Sequence, residues 1–378
     1  MNGLVVQPVE SRRDRKRFLR LPWSLYAEDS AWVPPLLVQL RARLSRSRNP
    51  YFSHAEAAFF LATRNGKPVG RISAQVCQLA QQYQEQGLGH YGLFECEDNK
   101  ETARALFAAA GDWLREKGMH RMMGPFDLSI NDEVGMLVEG FERPPCVMMG
   151  HHLEYYQNLV RSSGFEKEMD LYAYYQSVDE PYSERIERIL RRAVESHDLQ
   201  IRSLEKSNFD EEMRRVLSLF KDAWSENWGY VPPTQAEVDH LIAQIRVILD
   251  RGSVLLTEVE GELAGFMVVL PNVNEFLQDL DGKLFPIAWA KLLWRMKREK
   301  FKNVRVPLMG VRKQYQRSRI GAAIALSMID VCRNRFLPLG VTHCEMSWIL
   351  ETNSPMRGIL ESAGCQSDKT YRVFVKTL

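Results

Sequence analysis

The chain has 378 residues, 45% apolar and 26% charged, an ordinary globular balance that argues against disorder and leaves room for two domains with proper cores. A formal net charge of +2 gives no reason to expect a nucleic-acid partner from charge alone, so any basic patch has to be argued locally. The six cysteines show no CxxC pair or histidine-rich metal spacing, and no apolar run suits a signal peptide or a bilayer span, so reduced thiols, no metal, no stable membrane insertion and a cytoplasmic location are expected.

In chain order, Val5, Val6 and Val9 suggest a first strand, followed by a helix entry in SRRDRKRFLRLPWSLY and the loop Trp32-Val-Pro-Pro35. The arginines between Arg12 and Arg20 read as a solvated face, since no aromatic ladder continues them toward nucleic acid. Asn65-Gly66 between two apolar runs marks a hairpin, HYGLFE a strand, and 100–117 an amphipathic helix closed by Gly118. A short strand at 122–124 then leads into the long loop FDLSINDEVGMLVEGFERPP, where Asn131 and Asp132 are substrate-side candidates or members of an Asx-turn. Helix 154–163 ends at Gly164, and 169–175 is the last strand of this half. His151-His152 lacks further ligands and, on extended backbone, points to opposite faces, which argues against a metal site.

Pro181 and Ser183 mark a linker, with Ser183 as a possible cap for a helix over 184–197. Trp224, Glu226, Trp228 and Tyr230 mix aromatic rings with a carboxylate, which suits an amine-bearing acceptor or a hydrophobic core. Glu260-Gly261 repeats the hairpin signal, and 271–303 is an insertion carrying PIAWAKLLWRMKREKFK. Trp289, Leu292, Leu293 and Met296 share a helical face there, so a lid, a subunit contact in a homodimer and a membrane-surface helix stay open.

Val304, Val306 and Leu308 alternate with polar positions as a strand, and from Ile320 the period becomes helical. Between them, Gln316 to Gly321 meets the free amides of a helix N-terminus, with Arg317 and Arg319 adding charge and Gly321 removing a Cβ; this is an anion socket in pattern. A strand CEMSWIL and a helix from Pro355, with Asn353 as its cap, complete the order.

The two halves repeat. Trp32-Val-Pro-Pro is matched by Tyr230-Val-Pro-Pro233, the hairpin at Gly66 by that at Gly261, and Leu159-Val-Arg-Ser-Ser-Gly164 by Ile359-Leu-Glu-Ser-Ala-Gly364. Gln316-Arg-Ser-Arg319-Ile-Gly321-Ala322 resembles the pyrophosphate loop Q/R-x-x-G-x-G/A of the GNAT acyltransferase superfamily, with Arg319 in place of the first glycine. Asn353-Ser-Pro-Met356 through Gly364-Cys365 resembles the family's N-x-x-A-x-x-L-Y-x-x-x-G-F helix in the correct order, with Leu360 in place of the tyrosine.

The resemblance implies a mixed α/β chain of two tandem GNAT-like acyl-CoA N-acyltransferase domains, each a twisted mixed sheet flanked by helices, over 1–178 and 179–378. It also implies an acyl-CoA, acetyl-CoA or a longer one, held by the second domain through Met309, Val311, Gln316, Arg317, Ser318, Arg319, Ile320, Gly321, Ala322 and Asn353. The first domain carries acidic residues at 95–101 in the loop's place and is expected to lack the cofactor. The implied reaction is transfer of the acyl group to an amine of a small molecule or peptide. Glu345, Ser347 and Tyr371 are candidates for its proton transfers, since Leu360 cannot donate one. The other reading is a non-catalytic coenzyme A sensor or interaction scaffold.

Overall fold

A computed structural model describes residues 3–184, 186–188, 190, 191, 199–249 and 253–378. Its first half contains strands β1 (Leu4–Pro8), β2 (Ala55–Arg64), β3 (Lys67–Cys77), β4 (Leu88–Cys96), β5 (Arg121–Gly124), β6 (Met136–Glu139) and β7 (Glu166–Ser177). The second contains β8 (Leu199–Ser203), β9 (Ser253–Val259), β10 (Glu262–Pro271), β11 (Asn303–Val311), β12 (His343–Leu350) and β13 (Gln366–Thr377). Of the helix expected over 184–197, residues 184, 186–188, 190 and 191 are helical, and 185, 189 and 192–198 lie outside the described residues.

The local signals act where they were expected. Asn65 and Gly66 both have positive φ (51° and 78°), as do Glu260 and Gly261 (52° and 80°), so both hairpins turn through two left-handed residues whose twist matches the flanking strands. Helix Lys100–Glu116 starts at Asn99, whose side chain accepts from the amides of Glu101 and Thr102, and it buries Leu106, Phe107, Ala110 and Leu114 against Phe94 and Tyr91. Helix Arg319–Phe336 starts at Ser318 and lays Ile324, Met328 and Phe336 on the second half's core. The long loop after β5 is not all loop: Met136–Glu139 forms β6 and pairs with β13.

One sheet runs through both halves in the order β1-β2-β3-β4-β5-β13-β7-β12-β11-β10-β9-β8. The last strand of each half has therefore changed places: β13 lies against β5, with Phe374 opposite Gly124, and β7 lies against β12, with Met346 opposite Tyr174. The two exchanged strands also pair with each other, Tyr371 opposite Leu171. Both are central strands with little exposed surface, and Tyr371, Val373 and Phe374 are fully buried.

The insertion between β10 and β11 divides the face expected for its helix, Ala288–Arg298. Met296 is buried and Leu292 partly so, whereas Trp289 and Leu293 are exposed.

Candidate functional site

In the second half, β11 and β12 run parallel and pair from Asn303↔His343 to Val306↔Met346, then part. Beyond that point β11 keeps β10 on its other side, Met309 opposite Met267 and Val311 opposite Gly265, while β12 keeps β7, Ile349 opposite Tyr172. A wedge thus opens between 307–311 and 347–350, bordered on one strand by backbone without a β12 partner.

The loop from β11 to helix Arg319–Phe336 closes one end of this wedge. Gln316 Nε2 donates to the carbonyls of Val311 (2.9 Å) and Ala223 (3.3 Å), which ties the loop to the strand end and to helix Phe209–Trp224. Ser318 Oγ accepts from the Gly321 amide at 3.1 Å and the Ala322 amide returns to the Ser318 carbonyl, which leaves the first-turn amides of Arg319 and Ile320 at the open end. Arg317, Ser318 and Arg319 are exposed, and Arg317 takes positive φ (57°). Gly321 has a reason other than ligand approach: a Cβ there would stand 2.1 Å from the Tyr315 carbonyl oxygen, so glycine lets the loop fold back on the helix. Asn353 caps helix Ser354–Ser362 by accepting from the Met356 amide at 3.2 Å. Leu360, in the place of the family tyrosine, is fully buried in the second half's core.

Beneath the wedge lies a buried ionic cluster. Arg305 and Glu345 are register partners across β11 and β12, 3.6 Å apart from Nε to Oε1, and each side chain is 2% exposed. Arg305 Nε donates to Ser347 Oγ (3.0 Å), Ser347 Oγ donates to Glu345 Oε1 (2.8 Å), and Arg305 Nη1 donates to the carbonyls of Val147 (2.7 Å) and Met148 (3.1 Å) from the first half. The Trp348 ring covers the guanidinium at 5.1 Å. Tyr371, on the exchanged strand, packs edge-on to Trp348 and donates its hydroxyl to the Gly150 carbonyl at 3.1 Å. Burial, then the Glu345 charge, pushes the Tyr371 phenol upward, and the same two causes push the Cys146 thiol upward. Burial pulls the Arg305 guanidinium below its ordinary value, with Glu345 opposing.

The acceptor-side candidates form a bridge rather than a cluster. Trp224 stacks on Phe220 (4.8 Å) and packs where a Cβ on Gly310 would come within 2.3 Å of its ring, so the glycine admits it to the wedge strand. Glu226 is exposed and pairs with Lys313 at 2.7 Å, which holds its carboxyl below the usual range. Trp228 belongs to the apolar cluster around Tyr371 and Trp348. Tyr230 leans on Phe220, and the next carbonyl, that of Val231, accepts from Asn131 Nδ2 at 3.2 Å. Asp132 lies near Arg43, whose guanidinium holds Asp127 (3.3 Å) and Glu133 (2.9 Å). Burial raises Asp132 to about 6 and Asp127 to about 7, each opposed by Arg43.

The equivalent wedge of the first half is filled by its own chain. β4 and β5 pair only from Leu88↔Arg121 to His90↔Met123, after which the Phe126 amide donates to the Tyr91 carbonyl (2.8 Å) and Asp127 Oδ1 accepts from the Leu93 amide (3.0 Å). A Cβ on Gly92 would stand 1.7 Å from the Phe126 carbonyl oxygen, which measures how closely the segment is inserted. The adjacent helix start is capped by Asn99, and Glu97 accepts from Thr102 Oγ1 (2.7 Å) and Arg64 Nε (3.2 Å).

Sequence reasoning missed the hub of this site. Arg305 is not among the candidates the sequence offered, and its partners at 147 and 148 are backbone carbonyls, which leave no side-chain signature. The histidine pair resolves into separate contacts: His151 Nε2 meets Asp29 at 2.7 Å, and His152 Nδ1 accepts from the Leu137 amide.

No family model matches the chain. It is 43% identical over 376 residues to "Bacterial ceramide synthase" of Caulobacter vibrioides, covering 99% of this chain and 98% of that protein. It is 38% identical over 375 residues to "Protein YghO" of Escherichia coli, covering 99% and 95%. Among solved structures, a tandem GNAT protein from the clavulanic acid biosynthesis pathway superposes with a TM-score of 0.55 at 10% identity, covering 99% of this chain and 98% of that one. The chain belongs to the family of bacterial ceramide synthase and protein YghO, on a tandem GNAT fold.

Proposed function

We propose that the chain is an acyl-CoA-dependent N-acyltransferase with one coenzyme A site, in the half formed by residues 179–378. The observation that carries this reading is the second wedge, open between β11 and β12 and closed at one end by a helix start with free amides and two exposed arginines. The first wedge is filled by its own chain at Phe126 and Asp127, which supports a single site.

In this reading Arg319 and Ile320 amides with Arg317 and Arg319 hold the pyrophosphate, and the backbone at 309–311 orients the acyl thioester. Bound acyl-CoA supplies the activated carbonyl. The segment from Trp224 to Tyr230 walls the acceptor side, and Glu345, Ser347 and Tyr371 lie below the reacting atoms. A Tyr371 phenol held protonated by burial is in the state that a donor to a leaving thiolate requires. The name of the Caulobacter relative adds an acceptor class. Ceramide is an N-acylated long-chain amino alcohol, so the acceptor we assign is the amine of a long-chain amino alcohol rather than a peptide.

A coenzyme A-binding scaffold without turnover is the second reading, favoured by one observation: Leu360 is buried in the core and offers no proton to the wedge. Release of free thiol from acetyl- and long-chain acyl-CoA, measured with purified protein across short and long-chain amines, separates the two. Thiol release that depends on a long-chain amine is expected. Tight coenzyme A binding with no release from any pair supports the scaffold, and no binding at all removes both.

A further inference from the structure

The insertion between β10 and β11 holds a surface that acyl transfer does not account for. Its inner side is anchored to the first half: Leu277 and Leu280 pack with Val33 and Leu36, the Leu37 amide donates to the Gly282 carbonyl (2.9 Å), and Arg295 fixes Asp279 (2.6 Å) and the Phe276 carbonyl (3.1 Å). Its outer side is apolar and bare. Phe285 is 68% exposed, Ile287 75%, Trp289 45%, Leu293 39% and Trp294 60%. These are half of the large apolar side chains exposed among the described residues, gathered within one stretch, so they are not scattered surface residues of the ordinary kind.

Charge accompanies them. Residues 271–303 carry seven cationic side chains, at 283, 291, 295, 297, 298, 300 and 302, against four carboxylates, at 275, 279, 281 and 299. Lys283 pairs with Asp281 (2.8 Å) and Lys291 with Asp279 (2.6 Å), so the charge offered outward is that of 297, 298, 300 and 302. Lys283, Lys291, Lys297, Arg298, Lys300 and Lys302 are exposed. The molecule as a whole is nearly neutral, so this density belongs to the insertion.

We propose that the insertion docks the protein on an anionic lipid bilayer, with the loop Phe285-Pro286-Ile287 and the tryptophans of helix Ala288–Arg298 in the headgroup layer and the surrounding lysines and arginines on lipid phosphates. The helix has 11 residues, about 16 Å at 1.5 Å each, too short to cross a hydrocarbon core of about 30 Å. No helix among the described residues is long and apolar enough to cross one. An amphipathic segment with tryptophan and phenylalanine on one side and basic residues beside them lies in the interface plane instead. Basic charge separates this occupant from a second copy, since two copies face to face would bring like charges together.

The patch is also joined to the site. Asn272, at the insertion's start, accepts from the Val147 amide (2.9 Å), and Glu275 accepts from the Asn303 amide (2.8 Å) at the base of β11. Docking does not depend on the acyl-transfer reading, and its test does not read activity.

The test is flotation of the full chain with phosphatidylcholine vesicles, with and without phosphatidylglycerol, followed by tryptophan emission. Binding that needs phosphatidylglycerol, falls with salt and shifts the emission to the blue is expected. The variant Phe285→Ser/Ile287→Ser/Trp294→Ser and the variant Lys297→Glu/Arg298→Glu should each bind about tenfold more weakly or less. Their melting temperatures should stay near that of the parent, because the substituted side chains are exposed. Failure of the parent chain to float with phosphatidylglycerol vesicles would overturn the proposal, as would equal binding by both variants. A parent dimer that the serine variant dissociates, with no vesicle binding, would assign the face to a second copy instead.

Discussion

Arg305 Nη1 donates to the carbonyl of Val147 at 2.7 Å, so the strand bordering the second half's wedge is held by a loop of the first half. The same guanidinium faces Glu345 within the wall of that wedge, and neither side chain has access to water worth counting. Removing one partner of a buried pair leaves the other charge uncompensated, which costs about 3–5 kcal/mol. Arg305→Met should therefore lower stability by that order, and Arg305→Met with Glu345→Gln should lose less than the two single changes added. Chemical denaturation of the four proteins measures the coupling; strict additivity would mean that the pair is not energetically linked.

Coenzyme A affinity should depend on the charge of the loop. Arg317→Glu with Arg319→Glu is expected to weaken calorimetric binding by tenfold or more, about 1.4 kcal/mol, with stoichiometry near one per chain in the parent. Two equivalent sites, or unchanged affinity, would remove the assignment. Gly321→Val is the poorer test, because its Cβ would meet the Tyr315 carbonyl and disturb the loop whether or not anything binds. Ser318→Ala should cost about 1 kcal/mol of stability through the lost helix cap.

Ending the chain after Cys365 deletes β13, which pairs with β5, β6 and β7. Although all the deleted residues belong to the second half in sequence, hydrogen exchange at Met122–Gly124 and Met136–Glu139 in the first half should become fast. Retained protection there in a folded truncate would show that β13 does not hold the first half together.

Asp132 has a folded value of about 6, above its ordinary 3.9 or so, because burial disfavours its charge. A raised carboxyl contributes stability that is fully present below the unfolded value and is lost as pH rises through the folded one. The window is about pH 4 to 6. Asp132→Asn cannot ionise, so its stability relative to the parent should rise across that window and level off above it. Urea unfolding at pH 4 and pH 7 gives the comparison, and an equal difference at both would place the titration elsewhere.

Tyr371→Phe tests the proton donor. Loss of a positioned general acid typically costs about a hundredfold in turnover, with an altered basic limb in the pH profile. The fold should survive, since the ring packing against Trp348 is kept and a single hydroxyl contact to Gly150 is lost. Parent-like turnover and profile would exclude the residue.

Much of the molecule was legible from short-range chemistry. Asn65-Gly66 and Glu260-Gly261 place both hairpins because a two-residue turn needs consecutive left-handed residues, and Asn353 places a helix start because its side chain reaches the amide three residues on. The repeat and the order of the two motifs pointed to the tandem GNAT fold that the solved neighbour shares. Nothing in the sequence of β7 or β13 specifies which half it joins. Both are central strands of similar buried pattern, so each satisfies its backbone equally well beside β5 or beside β12, and only the pairing of the whole sheet chooses. The same holds for Arg305, whose carbonyl partners lie 158 and 157 residues away, and for Gly92, whose absent side chain makes room for Phe126. Side-chain periodicity reports which face of an element is apolar; it does not report what covers that face, and for helix Ala288–Arg298 the tertiary structure buried Met296, half-buried Leu292 and left Trp289 and Leu293 to solvent.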